Sequence, residues 1–161
     1  MKNDRVRIKG GRVRTIVIAG SHSSVGKTTL GRVLRRLLPG AVLVKIGHGR
    51  PKPRHDVPLY PMGTTLAALR RGHPGAAYLI IESNAITRAI TPDLCIYLAG
   101  RGPAKRSAAG ARRAADLVRG GRIACRAARR LADRLGLSPR VFGALLDAAG
   151  ARLCTCEFGV F

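Results

Sequence analysis

The 161-residue sequence predicts an α/β fold, in which helices flank a parallel β-sheet, from three observations. Short, nearly continuous apolar runs recur over residues 14–100, and such runs are typical of parallel strands that are buried on both faces. An amphipathic segment stands between the first two runs, which gives the β-loop-α-β order of a right-handed crossover. A loop of small residues joins the first run to that segment, as in folds that bind phosphate at a helix N-terminus.

Four apolar runs are predicted to be buried strands. Each is short, contains β-branched or aromatic residues, and is bounded by Gly or Pro. The four runs are Thr15–Ala19, Ala41–Ile46, Tyr78–Glu82 and Leu94–Leu98. With 46% hydrophobic residues, the chain has enough apolar side chains for a real core, and wholesale disorder is not expected.

The segment between the first two strands predicts an amphipathic helix. Its apolar residues follow the spacing i, i+3, i+4, i+7, i+8 of one helical face. They are Leu30, Val33, Leu34, Leu37 and Leu38. Pro39 and Gly40 end the pattern, and residues 64–72, "TTLAALRRG", form a second, shorter helix candidate.

The composition changes near residue 110, which predicts two units: residues 1–110, a nucleotide-binding domain, and residues 111–161, a small helical extension. Helices are predicted at Ala111–Val118, Ile123–Leu135 and Pro139–Ala149, with Ser138 as an N-cap. The last two resemble a helix-turn-helix. Two antiparallel helices that pack on the sheet or on each other are the favoured alternative, because the last helix offers few polar side chains that would read a DNA groove.

The loop "GSHSSVGKTT" has the features of a phosphate-binding loop. Small residues allow backbone N–H groups to wrap phosphates, Lys27 supplies the charge, and Thr28 supplies a hydroxyl for Mg²⁺. Ser21 stands where the first glycine is usual, and Gly20 is expected to adopt the strained turn instead. The predicted nucleotide-binding residues are Gly20, Ser21, His22, Ser23, Ser24, Val25, Gly26, Lys27, Thr28 and Thr29. The fold expected is therefore of the P-loop NTPase type.

An acidic partner for the metal is expected at the end of a neighbouring strand. Glu82 ends an apolar run, where an unpaired carboxylate would be costly. We predict that Lys27 and Glu82 act in catalysis, that Thr28 and Glu82 bind Mg²⁺, and that Asp56 is a weaker metal candidate. The alternative is a glutamate paired with one of the many arginines.

The stretch "IVIAGSHSSVGKTTL" resembles the P-loop of a group that contains dethiobiotin synthetase, the cobyrinate amidases and the MobB proteins. "VKIGHGRPK", with Lys45, His48 and Lys52, resembles the basic stretch of MobB. The resemblance covers roughly residues 14–100. It implies a GTP-binding protein that assists guanylation of molybdopterin alongside a guanylyltransferase, with little turnover of its own. Two departures are Ser83-Asn84, where the group often has Gly after the acid, and the C-terminal part, which minimal MobB lacks.

The use of the nucleotide stays open. Alternatives are a small ATP-dependent ligase of the dethiobiotin synthetase kind and a nucleotide-sensing DNA-binding regulator. GTP and ATP are not distinguished, because the loop "AGRGPAKRS" contains Lys105 but lacks the Asp of the usual guanine-reading motif. The oligomeric state is also open, a homodimer included.

The net charge of +22 would attract phosphates, nucleic acid or anionic surfaces. Arg supplies 24 of the 30 basic residues, and GC-rich codons alone explain much of that excess, so a solvated basic surface is the favoured interpretation. No run approaches the roughly 20 apolar residues of a membrane span, and no signal peptide is recognisable. We therefore expect a cytoplasmic protein without a membrane partner.

Cysteines and histidines supply weaker candidates. Cys154 and Cys156 form a C-x-C pair, but a structural zinc site needs four ligands. His48 and His55, near Lys52 and Arg54, would suit either an anionic substrate or a solvated basic loop.

Overall fold

A computed structural model describes residues 12–49 and 56–154. The strands are β1 Arg14–Gly20, β2 Ala41–Ile46, β3 Leu59–Tyr60, β4 Tyr78–Glu82, β5 Leu94–Leu98, β6 Leu117–Val118, β7 Arg122–Ala124 and β8 Arg152–Cys154. The helices are α1 Lys27–Leu37, α2 Leu66–Gly72, α3 Ala108–Arg113, α4 Cys125–Leu135 and α5 Pro139–Ala149, with a short 3-10 helix at Ile86–Arg88.

The predicted parallel sheet flanked by helices is confirmed. Six strands lie in the order β3-β2-β4-β1-β5-β6, and every pairing is parallel. All residues of β4 and β5 are buried, which explains their continuous apolar sequence. Such an architecture is compatible with a P-loop-like α/β fold.

Each face of the sheet carries its own helices. Alternate residues of β1 point to opposite faces, so Ile16 and Ile18 pack on one side and Val17 on the other. The first side is covered by α1, α4 and α5, through residues that include Leu30, Leu34, Leu131, Phe142 and Leu145. The second side is covered by Leu69 of α2, by Ile86, and by Ala108 and Ala111 of α3.

Two predicted helix boundaries in the C-terminal part were wrong. The helix expected at Ala111–Val118 is α3, which ends at Arg113, and Leu117–Val118 instead pairs with Ile96–Tyr97 as the edge strand β6. The helix expected from Ile123 begins at Cys125, because Arg122–Ala124 pairs with Arg152–Cys154 in a separate two-stranded sheet.

The last helix, α5, spans the predicted residues, and the Ser138 hydroxyl accepts a hydrogen bond from the Val141 N–H at 3.4 Å. Its buried residues pack into the same hydrophobic cluster as α1 and the sheet. The expected boundary after residue 110 falls inside α3, and the division into two units stays a prediction. The helix-turn-helix interpretation of α4 and α5 stays a prediction.

None of the helices among the described residues combines the length and the hydropathy that a bilayer crossing requires.

Candidate functional site

The loop between β1 and α1 lies at the carboxyl end of the central strand, where parallel sheets place their ligands. Gly26 precedes α1 with φ 94° and ψ 18°, a left-handed conformation that favours glycine. The strained turn is therefore at Gly26, and its expected place at Gly20 was wrong. Gly20 is required for space, since a Cβ there would lie 2.5 Å from Val25 Cγ1 and 3.2 Å from the Leu98 carbonyl oxygen.

Asn84 holds the start of the loop. Its side-chain oxygen accepts from the Gly20 N–H at 2.9 Å, and its side-chain nitrogen donates to the Gly20 carbonyl at 2.8 Å. The same nitrogen donates to Ser107 Oγ at 3.3 Å. Because β1 and β4 are neighbours, Asn84 continues their pairing beyond the last ladder pair, Ile18 with Glu82.

The Lys27 side chain is turned into the loop. Its Nζ donates to the carbonyls of His22 at 2.7 Å and Ser23 at 3.3 Å, and the residue is only 8% exposed. Burial lowers the pKa of Lys27, which the nearby Glu82 carboxylate partly opposes. Within the described chain no side chain caps α1, so the first N–H groups of the helix are left for another acceptor.

Thr28 and Glu82 meet across the end of the sheet. Thr28 Oγ1 donates to Glu82 Oε2 at 2.6 Å, and Lys45 Nζ lies 3.3 Å from Glu82 Oε1. Glu82 is 2% exposed, and its ion partner is this lysine and not an arginine. A hydroxyl and a carboxylate held together are the oxygen ligands that Mg²⁺ takes in proteins.

Lys27, Lys45 and Glu82 line a cavity of about 530 Å³. Its charged side chains are four cations and one carboxylate: Lys27, Lys45, Arg88, Lys105 and Glu82. The remaining lining includes Ser23, His48, Ser83 and Asn84. A concave site with this excess of positive charge suits a polyanion.

The rest of the predicted loop residues have mixed environments. Ser24 and Thr29 are exposed, whereas Ser21 and Val25 are buried. Ser21 Oγ and His22 Nε2 are buried without a hydrogen-bond partner among the described residues. Gly100 packs beside them, since a Cβ there would lie 2.6 Å from His22 Nε2.

Asp56 is not brought to this cavity. Its carboxylate bonds to Arg32 Nη2 at 2.6 Å and Arg35 Nη2 at 3.0 Å, on the exposed side of α1. The Arg32 hydrogen bond is the largest cause that lowers the pKa of Asp56 to about 2. The two arginines balance the charge of the Asp56 carboxylate, so its position does not require a metal ion.

The described cysteines, Cys95, Cys125 and Cys154, do not belong to a metal-binding group. Burial raises the pKa of the Cys95 thiol to about 12, so Cys95 stays protonated. Within residues 12–49 and 56–154, no three His, Cys, Asp or Glu side chains are grouped to hold a metal ion. Cys156, Lys52, Arg54 and His55 lie outside the described residues.

Three contacts to the loop were missed from the sequence. Beside Asn84, Arg119 Nη1 donates to the Val25 carbonyl at 3.1 Å, and the Lys105 N–H donates to the Ser21 carbonyl at 2.8 Å. The departure at Ser83-Asn84 from the acid-Gly pattern was the only sequence signal for Asn84. Arg119 directly follows β6, a strand that the sequence did not predict, so its contact with the loop was not predicted either.

No protein-family model matches the chain, and no curated protein or solved structure is significantly similar to it. The structure defines a class, an α/β protein whose parallel sheet presents a glycine-containing loop at the end of its central strand.

Proposed function

We propose that the protein binds a nucleoside triphosphate together with Mg²⁺ at the loop Gly20–Thr29. The observation that carries the proposal is the 2.6 Å contact between Thr28 and Glu82 beside Lys27, at the uncapped start of α1. The helix N-terminus and Lys27 attract the phosphates, and the Thr28 hydroxyl and Glu82 carboxylate would hold the metal.

Each polar group then has a distinct task. Lys27 exchanges its two carbonyl partners for phosphate oxygens, which are stronger acceptors because they are charged. Mg²⁺ supplies charge neutralisation at the phosphates. Glu82 orients the metal or a water, which makes Lys27 and Glu82 the proposed catalytic residues of a weak NTPase.

A narrower proposal is that the nucleotide serves molybdenum-cofactor biosynthesis, with molybdopterin and a guanylyltransferase as partners. It rests on the MobB resemblance and on one structural observation. Lys45 and His48, the two described residues of the resembling basic stretch, both line the cavity. Added to a GTP-dependent molybdopterin guanylation assay, the protein should raise the rate, and a Lys27→Ala variant should not. An equal rate with and without the protein would remove this pathway.

A second candidate, a nucleic-acid-binding regulator, is favoured by the exposed face of α4. That face presents Arg126, Arg129, Arg130 and Arg134, whereas the only charged residues of α5 are Arg140 and Asp147. Deleting residues 111–161 is unsuitable as a test, because Leu131 and Phe142 belong to the core. The triple substitution R126E/R129E/R130E is a suitable one. The candidate requires sequence-preferring DNA binding at physiological salt that this variant lacks.

A nucleotide panel measured by thermal shift tests the main proposal. GTP or ATP at about 100 times its Kd adds ~2.7 kcal/mol to folding stability, which raises the Tm by about 5–11 °C in a chain of this length. The rise should grow with Mg²⁺ and vanish in Lys27→Ala. Unchanged melting with every nucleotide would reject the proposal.

A further inference from the structure

We call the cavity of about 530 Å³ described above the phosphate cavity. A second, smaller pocket adjoins it. We call it the annex; its volume is about 280 Å³. The annex is lined by Ile46, Met62, Gly63, Thr64, Thr65, Leu66, Ala85, Ile86, Ala89 and Ile90. Three of these residues, Ile46, Met62 and Ala85, also line the phosphate cavity, so the two spaces are contiguous.

The annex is lined mainly by apolar side chains. Each of its two side-chain hydroxyls has a backbone partner: Thr64 Oγ1 donates to the Pro61 carbonyl at 2.8 Å, and Thr65 Oγ1 accepts from the Ala68 N–H at 3.2 Å. No lining residue is charged. A polar heterocycle would find few partners there for its own donors and acceptors, which disfavours its binding. Hydrocarbon or an unsubstituted aryl ring meets no such penalty.

Arg88 stands at the junction of the two spaces. Its side chain lines the phosphate cavity, while the next two residues, Ala89 and Ile90, line the annex. Among the described residues Arg88 forms no ion pair, whereas Lys45 is engaged by Glu82. Lys27 Nζ already donates to the His22 and Ser23 carbonyls. Lys105 lines the phosphate cavity, but no residue next to it in the chain lines the annex. Arg88 is therefore the cation available to a ligand that reaches into the annex.

We propose that the annex and Arg88 bind a second ligand, a small organic molecule with an oxyanion head on a compact apolar body. The head, a carboxylate or a phosphate ester, is held by the planar guanidinium of Arg88. The body lies in the annex, whose volume is near the lower end of ligand pockets at about 300 Å³. Since a cavity of about 150 Å³ holds benzene, the annex admits a body of one to two phenyl rings. The inference rests on the proposed nucleotide site only for the role of this ligand, which lies beside the triphosphate as a phosphoryl acceptor would.

The test titrates three probes, phenyl phosphate, benzoate and benzyl alcohol, into the full chain with and without a saturating non-hydrolysable Mg²⁺-nucleotide. We expect at least one oxyanion probe to bind ten-fold or more tightly than benzyl alcohol, since a charge-assisted hydrogen bond contributes about 1.5–3 kcal/mol. Tighter binding of phenyl phosphate identifies a phosphate ester, and tighter binding of benzoate identifies a carboxylate.

Two pairs of variants locate the bound probe. Ala89→Phe fills the annex and Arg88→Gln removes the cation, and each should weaken the oxyanion probe about ten-fold or more. Ala144→Phe and Arg36→Gln make the same changes at exposed sites on α5 and α1 and should leave binding within about two-fold. Met62→Glu, at a side chain that is 41% exposed, is a further annex variant that does not disturb the core.

Three results would overturn the inference: no binding of either oxyanion probe, equal binding of benzyl alcohol, or oxyanion binding that Ala89→Phe and Met62→Glu leave unchanged. These outcomes are distinct from failure of the nucleotide proposal. If the nucleotide binds and the probes do not, only the annex inference fails. If the probes bind with the expected variant pattern and no nucleotide binds, only the nucleotide proposal fails.

Discussion

At the scale of single residues, a motif or the cost of burial predicted Lys27, Thr28 and Glu82, whereas no sequence pattern predicted the contacts of Asn84. Lys27 and Thr28 follow from the loop motif, and Glu82 follows from the cost of an unpaired carboxylate at the end of an apolar strand. Asn84 contacts Gly20 across 64 positions, only because β1 and β4 are paired neighbours. No local pattern in the sequence contains that information.

Glu82→Gln separates metal binding from phosphate binding. The amide keeps a hydrogen-bond acceptor for Thr28 but loses the charge that Mg²⁺ requires. We expect a thermal shift with nucleotide alone that matches the wild type, without the added shift from Mg²⁺. A full Mg²⁺ effect in this variant would show that the metal is held elsewhere.

Gly20→Ala and Gly143→Ala should change stability in opposite directions. At Gly20 the new Cβ would lie 2.5 Å from Val25 Cγ1, and overpacking of this kind costs about 1–3 kcal/mol. At Gly143, inside α5, the Cβ meets nothing within 4 Å, so the helix gains about 0.5–1 kcal/mol. Urea unfolding measures both, and a neutral Gly20→Ala would contradict the packing described for the loop.

At the scale of secondary structure, the buried strands were predicted from the sequence and the short edge strands were not. Strands β2, β4 and β5 have the predicted residues, because strands in a covered parallel sheet are apolar along their length. The edge strands β3 and β6 have two residues each, too few for a recognisable run. Residues 111–118 have helical composition, but pairing of Leu117 with Ile96 overrides that preference.

Arg119, in the loop after β6, contacts the proposed nucleotide-binding loop Gly20–Thr29. Its hydrogen bond to the Val25 carbonyl fixes the backbone just before Gly26. Arg119→Gln should weaken nucleotide binding several-fold with little change in the ligand-free Tm, because the side chain is exposed. Arg122→Gln, an exposed arginine on β7, is the matched control, and equal affinities in the two variants would remove the positioning role of Arg119.

At the scale of the whole molecule, a large hydrophobic core favours the folded state and a net charge of +22 opposes it. The largest hydrophobic cluster joins the sheet to α1, α4 and α5, on both sides of residue 110. The chain has 30 basic and 8 acidic side chains. Five ion pairs occur among the described residues, so most of the described arginines lack a carboxylate partner. Self-repulsion therefore opposes the compact state.

Salt should stabilise the ligand-free protein. Raising NaCl from about 0.05 M to 0.5 M shortens the screening length and reduces repulsion among the arginines, so the Tm should rise. A double variant, Arg36→Glu with Arg112→Glu, changes two exposed sites and should show a smaller rise. A Tm that falls with NaCl would mean that attractive ion pairs outweigh the repulsion.

The most direct test of the nucleotide site is calorimetric titration of the wild type and Lys27→Ala with GTP and with ATP, each in the presence of Mg²⁺. The account predicts saturable binding of at least one nucleotide with one site per chain, and loss of that binding when the Lys27 ammonium is removed. Binding that is unchanged in Lys27→Ala, or no binding of either nucleotide to the wild type, would contradict it.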